Sequence, residues 1–160
     1  MKKIMILGAS ILQLPAIKKA KEMGLEVIAV DMDPNAIGFK EDNIICEEIS
    51  TIDTPSVLKA AKKHNIDGIM TLASDMPMQT VAVVAKELGL IGISEDTSKK
   101  ATNKYLMRKA LKENNVPIPK FFKISTLEEY LKVVNNFNEP FIVKPADNSG
   151  SRGIDLVDDI

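Results

Sequence analysis

Lys3-Ile-Met-Ile-Leu-Gly-Ala-Ser-Ile-Leu-Gln13 decides the fold. The run Ile4–Leu7 is continuously apolar and stops at Gly8. Leu12, Ala16, Ile17, Ala20 and Met23 follow at helical spacing, and Gly24 fits the position just past a helix end. Val27–Val30 is a second continuous apolar run, bounded by Asp31. A strand apolar on both faces, an amphipathic helix and another such strand mark parallel strands joined by a right-handed crossover.

The same alternation continues outward from this stretch. Ile44–Ile45 is a weaker third run. Thr54–Asn65 reads as a helix, with Thr54 as N-cap and Pro55 in the first turn. Ile69–Leu72 is a fourth run. A helix carrying Val81, Val84, Ala85 and Leu88 then ends at Gly89, with Ser74 or Asp75 as its cap. Residues 1–94 are therefore expected to form an α/β domain, a Rossmann-like open parallel sheet.

Residues 95–160 follow a different pattern. Asp96–Asn115 reads as one long or two short helices. Residues 96–123 hold eight lysines and arginines against two acids, while the whole chain has a net charge of −1. That segment is either a solvated helix face or an attractor for an anion such as a polyphosphate. Val116-Pro-Ile-Pro119 breaks the helix. Phe121–Ile124 reads as a strand, and Ser125 or Thr126 caps a helix through Val134, with Glu128 or Glu129 in its first turn. Phe141–Val143 and Ile154–Val157 read as strands flanking the turn-rich loop Asp147-Asn-Ser-Gly-Ser-Arg-Gly153.

Composition narrows the function. The 160 residues are 45% hydrophobic and 27% charged, enough for a core. A near-neutral balance argues against a nucleic-acid or anionic-membrane binder acting through bulk charge. Cys46 is alone, so no internal disulfide framework exists, and it reads as a small buried residue. His64 is also alone, which argues against a histidine-built metal site or a Ser-His-Asp triad; it suits a helix C-terminus. The methionines, Met76 and Met78 among them, read as core filler. No apolar stretch approaches the roughly 18 residues that span a bilayer. A cytoplasmic location is expected.

Two loops carry chemistry. Gly8–Gln13 lies where a dinucleotide fingerprint would, and Asp31 follows near the spacing of a ribose-binding acid. Only the first glycine of that fingerprint is present; Ser10 and Gln13 occupy the other two positions. This argues against NAD and leaves Gly8 as a turn residue, or Gly8 and Ser10 as contacts to part of a small substrate. In the 147–153 loop, two glycines and two serines allow backbone amides to converge on an anion, and Arg152 adds a fork of donors. An inert surface turn is the competing reading. No Gly-Lys-Ser/Thr follows, so the loop is not a P-loop. Lys144 leaves an apolar strand in reach of this loop.

Phe141-Ile-Val-Lys-Pro145 with Asp147–Ile154 resembles the lid hairpin of the ATP-grasp superfamily. Lys99–Leu111 with Asn115-Val-Pro-Ile-Pro119 is similar to the segment before that lid. Ile6-Leu-Gly-Ala-Ser10 and Val30-Asp-Met-Asp-Pro34 resemble the domain that precedes it, most nearly in the carbamoyl-phosphate synthase large subunit and its stand-alone relatives. The resemblance implies a Rossmann-like domain over 1–94 and the start of an ATP-grasp domain, an incomplete α+β lid, over 95–160. It implies an ATP-dependent ligase that activates a carboxylate as an acyl phosphate for attack by an amine or similar nucleophile. It makes Lys104, Lys144, Ser149, Gly150, Ser151, Arg152 and Gly153 the ATP-binding residues. Gly8, Ser10, Ser74 and Asp75 would contact substrate, Ser74 and Asp75 with the helix cap as their competing role. No catalytic residue and no metal ligand is assigned. Magnesium is implied, with its ligands expected beyond Ile160, because Asp155, Asp158 and Asp159 are the only acids after the loop. The chain is accordingly expected to be the N-terminal portion of a longer enzyme and inactive by itself. A small-molecule carboxylate and acceptor are the expected partners, without nucleic acid or membrane, and a homodimer is allowed. The alternatives are a Rossmann-type nucleotide or metabolite-binding module, or a regulatory or interaction fragment without chemistry.

Overall fold

The computed structural model describes residues 1–148, 150 and 152–158. It contains two compact units, Met1–Ser98 and Lys99–Ile160.

The first unit holds β1 (Lys3–Leu7), α1 (Leu14–Glu22), β2 (Glu26–Asp31), a 3₁₀ turn (Ile37–Lys40), β3 (Ile45–Glu48), α2 (Thr54–His64), β4 (Gly68–Thr71) and α3 (Met78–Glu87), and α4 (Glu95–Thr102) begins in it. The four strands pair in parallel in the order β3-β2-β1-β4. The continuous apolar runs divide residue by residue between two faces. Met5, Leu7, Ile28 and Val30 pack with Val57, Ala60 and Ala61 of α2 and Val81, Val84 and Ala85 of α3. Ile6, Val27 and Ala29 pack on the other face with Ile17 and Ala20 of α1. Alternate side chains point to opposite faces of a strand, so a strand covered on both sides must be apolar throughout.

Helix ends follow local chemistry. Gly24 and Gly89 take φ of +73° and +64° just past α1 and α3. The cap of α2 is Asp53, not Thr54: its carboxylate accepts from Ser56 N at 3.3 Å. Neither Ser74 nor Asp75 caps α3. The Asp75 carbonyl accepts from Met78 N, and Pro77, with its fixed φ and no N–H, leads the chain into the helix. Leu12 lies before α1 and Met23 after it, and both are exposed. Met76 is exposed as well, in the turn before α3, and so is not core filler. Cys46 is exposed rather than buried, because the edge strand β3 turns alternate residues to solvent.

His64 ends α2 as expected, and its Nε2 lies 2.5 Å from Glu47 Oε1, which also accepts from Lys63 Nζ at 2.7 Å. The His64 hydrogen bond, then that of Lys63, holds the Glu47 carboxyl below the usual range. A folded-state pKa below the unfolded one adds stability above about pH 4.3, and this is lost as pH falls through the lower folded value. Glu47→Gln should therefore lower the urea midpoint at neutral pH. The gap to the parent should close as pH falls below about 4. A gap that is constant across that window would show that the carboxylate charge plays no part.

The second unit contains α5 (Lys104–Glu113), α6 (Leu127–Val134), β5 (Phe141–Val143) and β6 (Asp155–Val157). The 96–115 segment is thus two helices, divided at Asn103, whose side chain caps α5 by accepting from Leu106 N. Thr126 caps α6, accepting from Glu129 N at 3.2 Å, while Glu129 Oε2 reaches back to Ser125 N at 2.6 Å. β5 and β6 form an antiparallel pair with Phe141 opposite Val157. Phe121–Ile124 is not a strand. It has no ladder partner among the described residues, and its rings serve aromatic packing instead: Phe121 meets Tyr105, and Phe122 meets Phe137 edge-on at 5.7 Å.

Candidate functional site

Winding direction locates the crevice of the first unit. The chain moves from β1 to β2 to β3 on one side, then returns through α2 to β4 on the other side of β1. Ligands of open α/β sheets bind beyond the carboxyl ends of the strands at such a reversal. The loops there are Gly8–Gln13 after β1 and Leu72–Pro77 after β4, so Gly8, Ser10, Ser74 and Asp75 all lie on the two loops that flank the reversal.

Gln13 joins these loops. Its side chain is buried, its Nε2 donates to the Leu72 carbonyl at 2.5 Å, and its Oε1 accepts from Ser10 Oγ at 2.6 Å. It also fills the space over Gly8, where a Cβ would lie 2.8 Å from Gln13 Cδ. Asp31 closes the other side: Oδ2 accepts from Ala9 N at 2.7 Å and Oδ1 from Asp33 N at 3.0 Å. Gly8 N donates to Val30 O, Leu12 N to Ser10 Oγ, and Gln13 N and Leu14 N to Ser10 O. The amides that would cradle a pyrophosphate are thereby largely committed within the loop, and the acid at ribose spacing is committed to backbone. Both observations weigh against a dinucleotide. Gln13 was not among the expected site residues; its signal was a long amide side chain at a position that a fingerprint reserves for glycine.

The second unit gathers the basic residues and the glycine loop. Lys104, the first residue of α5, donates through its backbone N to Ala146 O at 2.7 Å and through Nζ to Asn148 O. Asn148 Nδ2 donates to Arg152 O at 3.3 Å, closing the loop on itself. Gly150 and Gly153 both take φ of +69°, and a Cβ at Gly153 would press on the Pro145 ring at 3.1 Å. Lys144 follows β5 directly and is exposed, as is Arg152. Lys104, Gly150, Arg152 and Gly153 are thus brought to one loop, with Lys144 at its root. Ser149 and Ser151 lie outside the described residues. Asn148 is the residue that the sequence reading passed over, although it stands in the quoted loop.

A cluster of cations at a glycine-rich hairpin suits the phosphates of a nucleotide. Among the described residues no group of three or more His, Cys, Asp or Glu side chains is placed to hold a metal. No helix among them is long and apolar enough to cross a membrane.

No family model matches the chain. Over 149 residues it is 29% identical to the carbamoyl phosphate synthase large chain of Thermoanaerobacter sp. (strain X514), covering 86% of this chain and 14% of that one. The crystal structure of phosphoribosylglycinamide synthetase from Anaerococcus prevotii matches 99% of this chain and 39% of its own, with TM-score 0.76 and 28% identity. The relatives and structural neighbours of the chain are enzymes of the ATP-grasp superfamily. The biotin carboxylase domain of the Hydrogenobacter thermophilus 2-oxoglutarate carboxylase, solved as a dimer with MgADP and bicarbonate, shares the fold at TM-score 0.79 and 17% identity, over 98% of this chain and 37% of that one. The chain spans about a seventh of the synthase large chain and about two fifths of the solved structures.

Proposed function

We propose that the chain supplies nucleotide- and substrate-binding parts of an ATP-dependent ligase, in which a carboxylate is activated as an acyl phosphate and then attacked by an amine. The observation that carries this reading is the double hold of Lys104 on the loop: backbone to Ala146, ammonium to Asn148. It sets a cation at the root of a hairpin that also carries Arg152 and Lys144. ATP, when bound, supplies the transferable phosphoryl group. Lys104, Lys144 and Arg152 would hold its phosphates and offset their charge, and the left-handed turns at Gly150 and Gly153 let the loop backbone come close. Relatives named as a synthase and a synthetase, and a fold neighbour solved with MgADP, support the assignment. On the same reading Gly8, Ser10, Ser74 and Asp75 contact the acceptor.

Titration of the chain with ATP, followed by amide chemical shifts, tests this. Signals of 144–153 should move. Lys104→Ala and Arg152→Ala should each weaken binding by about tenfold or more, as expected for loss of a charge-assisted contact. ATP binding that survives both substitutions unchanged would sink the proposal.

A further inference from the structure

The four loops that leave the carboxyl ends of β1–β4 share an unusual composition. Residues 8–13, 32–36, 49–53 and 72–77 contain no lysine, arginine or histidine. The nearest cation along the chain, Lys40, closes the 3₁₀ turn that follows the second loop. They do carry large apolar side chains exposed to solvent. At the reversal itself these are Ile11 at 63%, Leu12 at 57%, Leu72 at 41% and Met76 at 59% exposure, and Met32 stands beside them on the neighbouring loop. Isolated exposed apolar residues are ordinary, but a group at the mouth of a binding crevice marks a surface that contacts something.

Acids complete the pattern, and three of them are occupied. Asp31 accepts from Ala9 N and Asp33 N, Asp33 from Asn35 N, and Asp53 from Ser56 N. Asp75 differs: among the described residues its carboxylate makes no hydrogen bond or ion pair, and it stands between Leu72 and Met76 in the same loop. A phosphorylated acceptor would meet here a crevice without a cation and with a negative charge, the amides of the Gly8–Gln13 loop being largely committed. An ammonium on an apolar skeleton would meet a carboxylate flanked by apolar side chains.

We infer that this crevice takes a non-phosphorylated amine with an apolar body, its ammonium paired with Asp75 and its hydrocarbon lying against Leu72, Met76, Ile11 and Leu12. The inference rests on the ligase reading above, and names its acceptor class. It also separates this chain by substrate chemistry from a ligase that takes an acceptor bearing phosphate, because a phosphate would be repelled where the amine is held.

The test uses the full chain, isotope-labelled, and three probes: 3-methylbutylamine, 4-methylpentanoate with the same branched skeleton and opposite charge, and ribose 5-phosphate. The amine is expected to shift the amides of residues 9–13 and 72–76 saturably, and the other two to shift them weakly or not at all. Asp75→Asn, an exposed isosteric change, should weaken the amine by about three- to fivefold. Met76→Ser should weaken it without altering its preference over the carboxylate. ATP added to the same sample reports separately on 144–153. Tighter binding of the phosphate or the carboxylate overturns the inference, and so does an ATP response with no amine response, which leaves the ligase reading standing. An amine response that persists undiminished in Asp75→Asn overturns the pairing. An amine response without an ATP response supports this crevice and removes the ligase reading.

Discussion

Ile28→Ala should lower the unfolding free energy of the first unit by about 2–5 kcal/mol, the range for removing a fully buried aliphatic side chain without collapse of the space. Ile28 is 0% exposed, sits in β2 and pairs with Met5 on one side and Ile45 on the other. Its side chain belongs to the cluster that α2 and α3 close over, so backbone held on both edges leaves little freedom to fill the void. Whole domains are stable by only about 5–15 kcal/mol, so this one change removes a large share. The melting temperature should fall by about 10 °C or more. A matched control is Ile142→Ala in β5, where the side chain is 52% exposed and the cost should stay below about 1 kcal/mol. Equal losses from the two substitutions, measured by urea denaturation, would contradict the assignment of the core.

Gly8→Val is the second large effect, expected at about 2–4 kcal/mol. Two separate causes act at this residue. Its φ of +99° is one that a β-branched side chain avoids, and its missing Cβ leaves room for the Gln13 amide. Displacing Gln13 would break its link to Leu72 O, so the damage should reach the loop after β4. The double variant Gly8→Val/Gln13→Ala distinguishes the causes. Partial recovery relative to the summed single losses identifies the steric conflict, and simple additivity assigns the whole effect to backbone strain. A Gly8→Val chain within about 0.5 kcal/mol of the parent would refute both.

Elements with a strong period were legible before any coordinates. β1, β2, α1 and α2 follow from continuous apolar runs and helical spacing, because burial on two faces or one leaves a direct imprint on residue type. Phe121–Ile124 shows where this fails: aromatic residues that pack ring against ring look like strand residues when only hydropathy is read. Side chains that serve the backbone were also hidden. Asp31 has the spacing of a ribose ligand, yet it binds Ala9 N and Asp33 N; spacing along the chain does not reveal which partner is nearer in space. Asn148 and Gln13 escaped for the same reason, since each acts through a carbonyl that only folding brings close.

The interior place of β1 bears on the order in which the nascent chain can fold. β1 gains one neighbour once Asp31 has left the ribosome, and its second only with Gly68–Thr71. Through the intervening synthesis its far edge presents unpaired amides and carbonyls beside apolar side chains, a template for pairing with other chains. A ribosome stalled between residues 31 and 68 should therefore hold a sticky intermediate, and release of β4 should be the step that renders it inert.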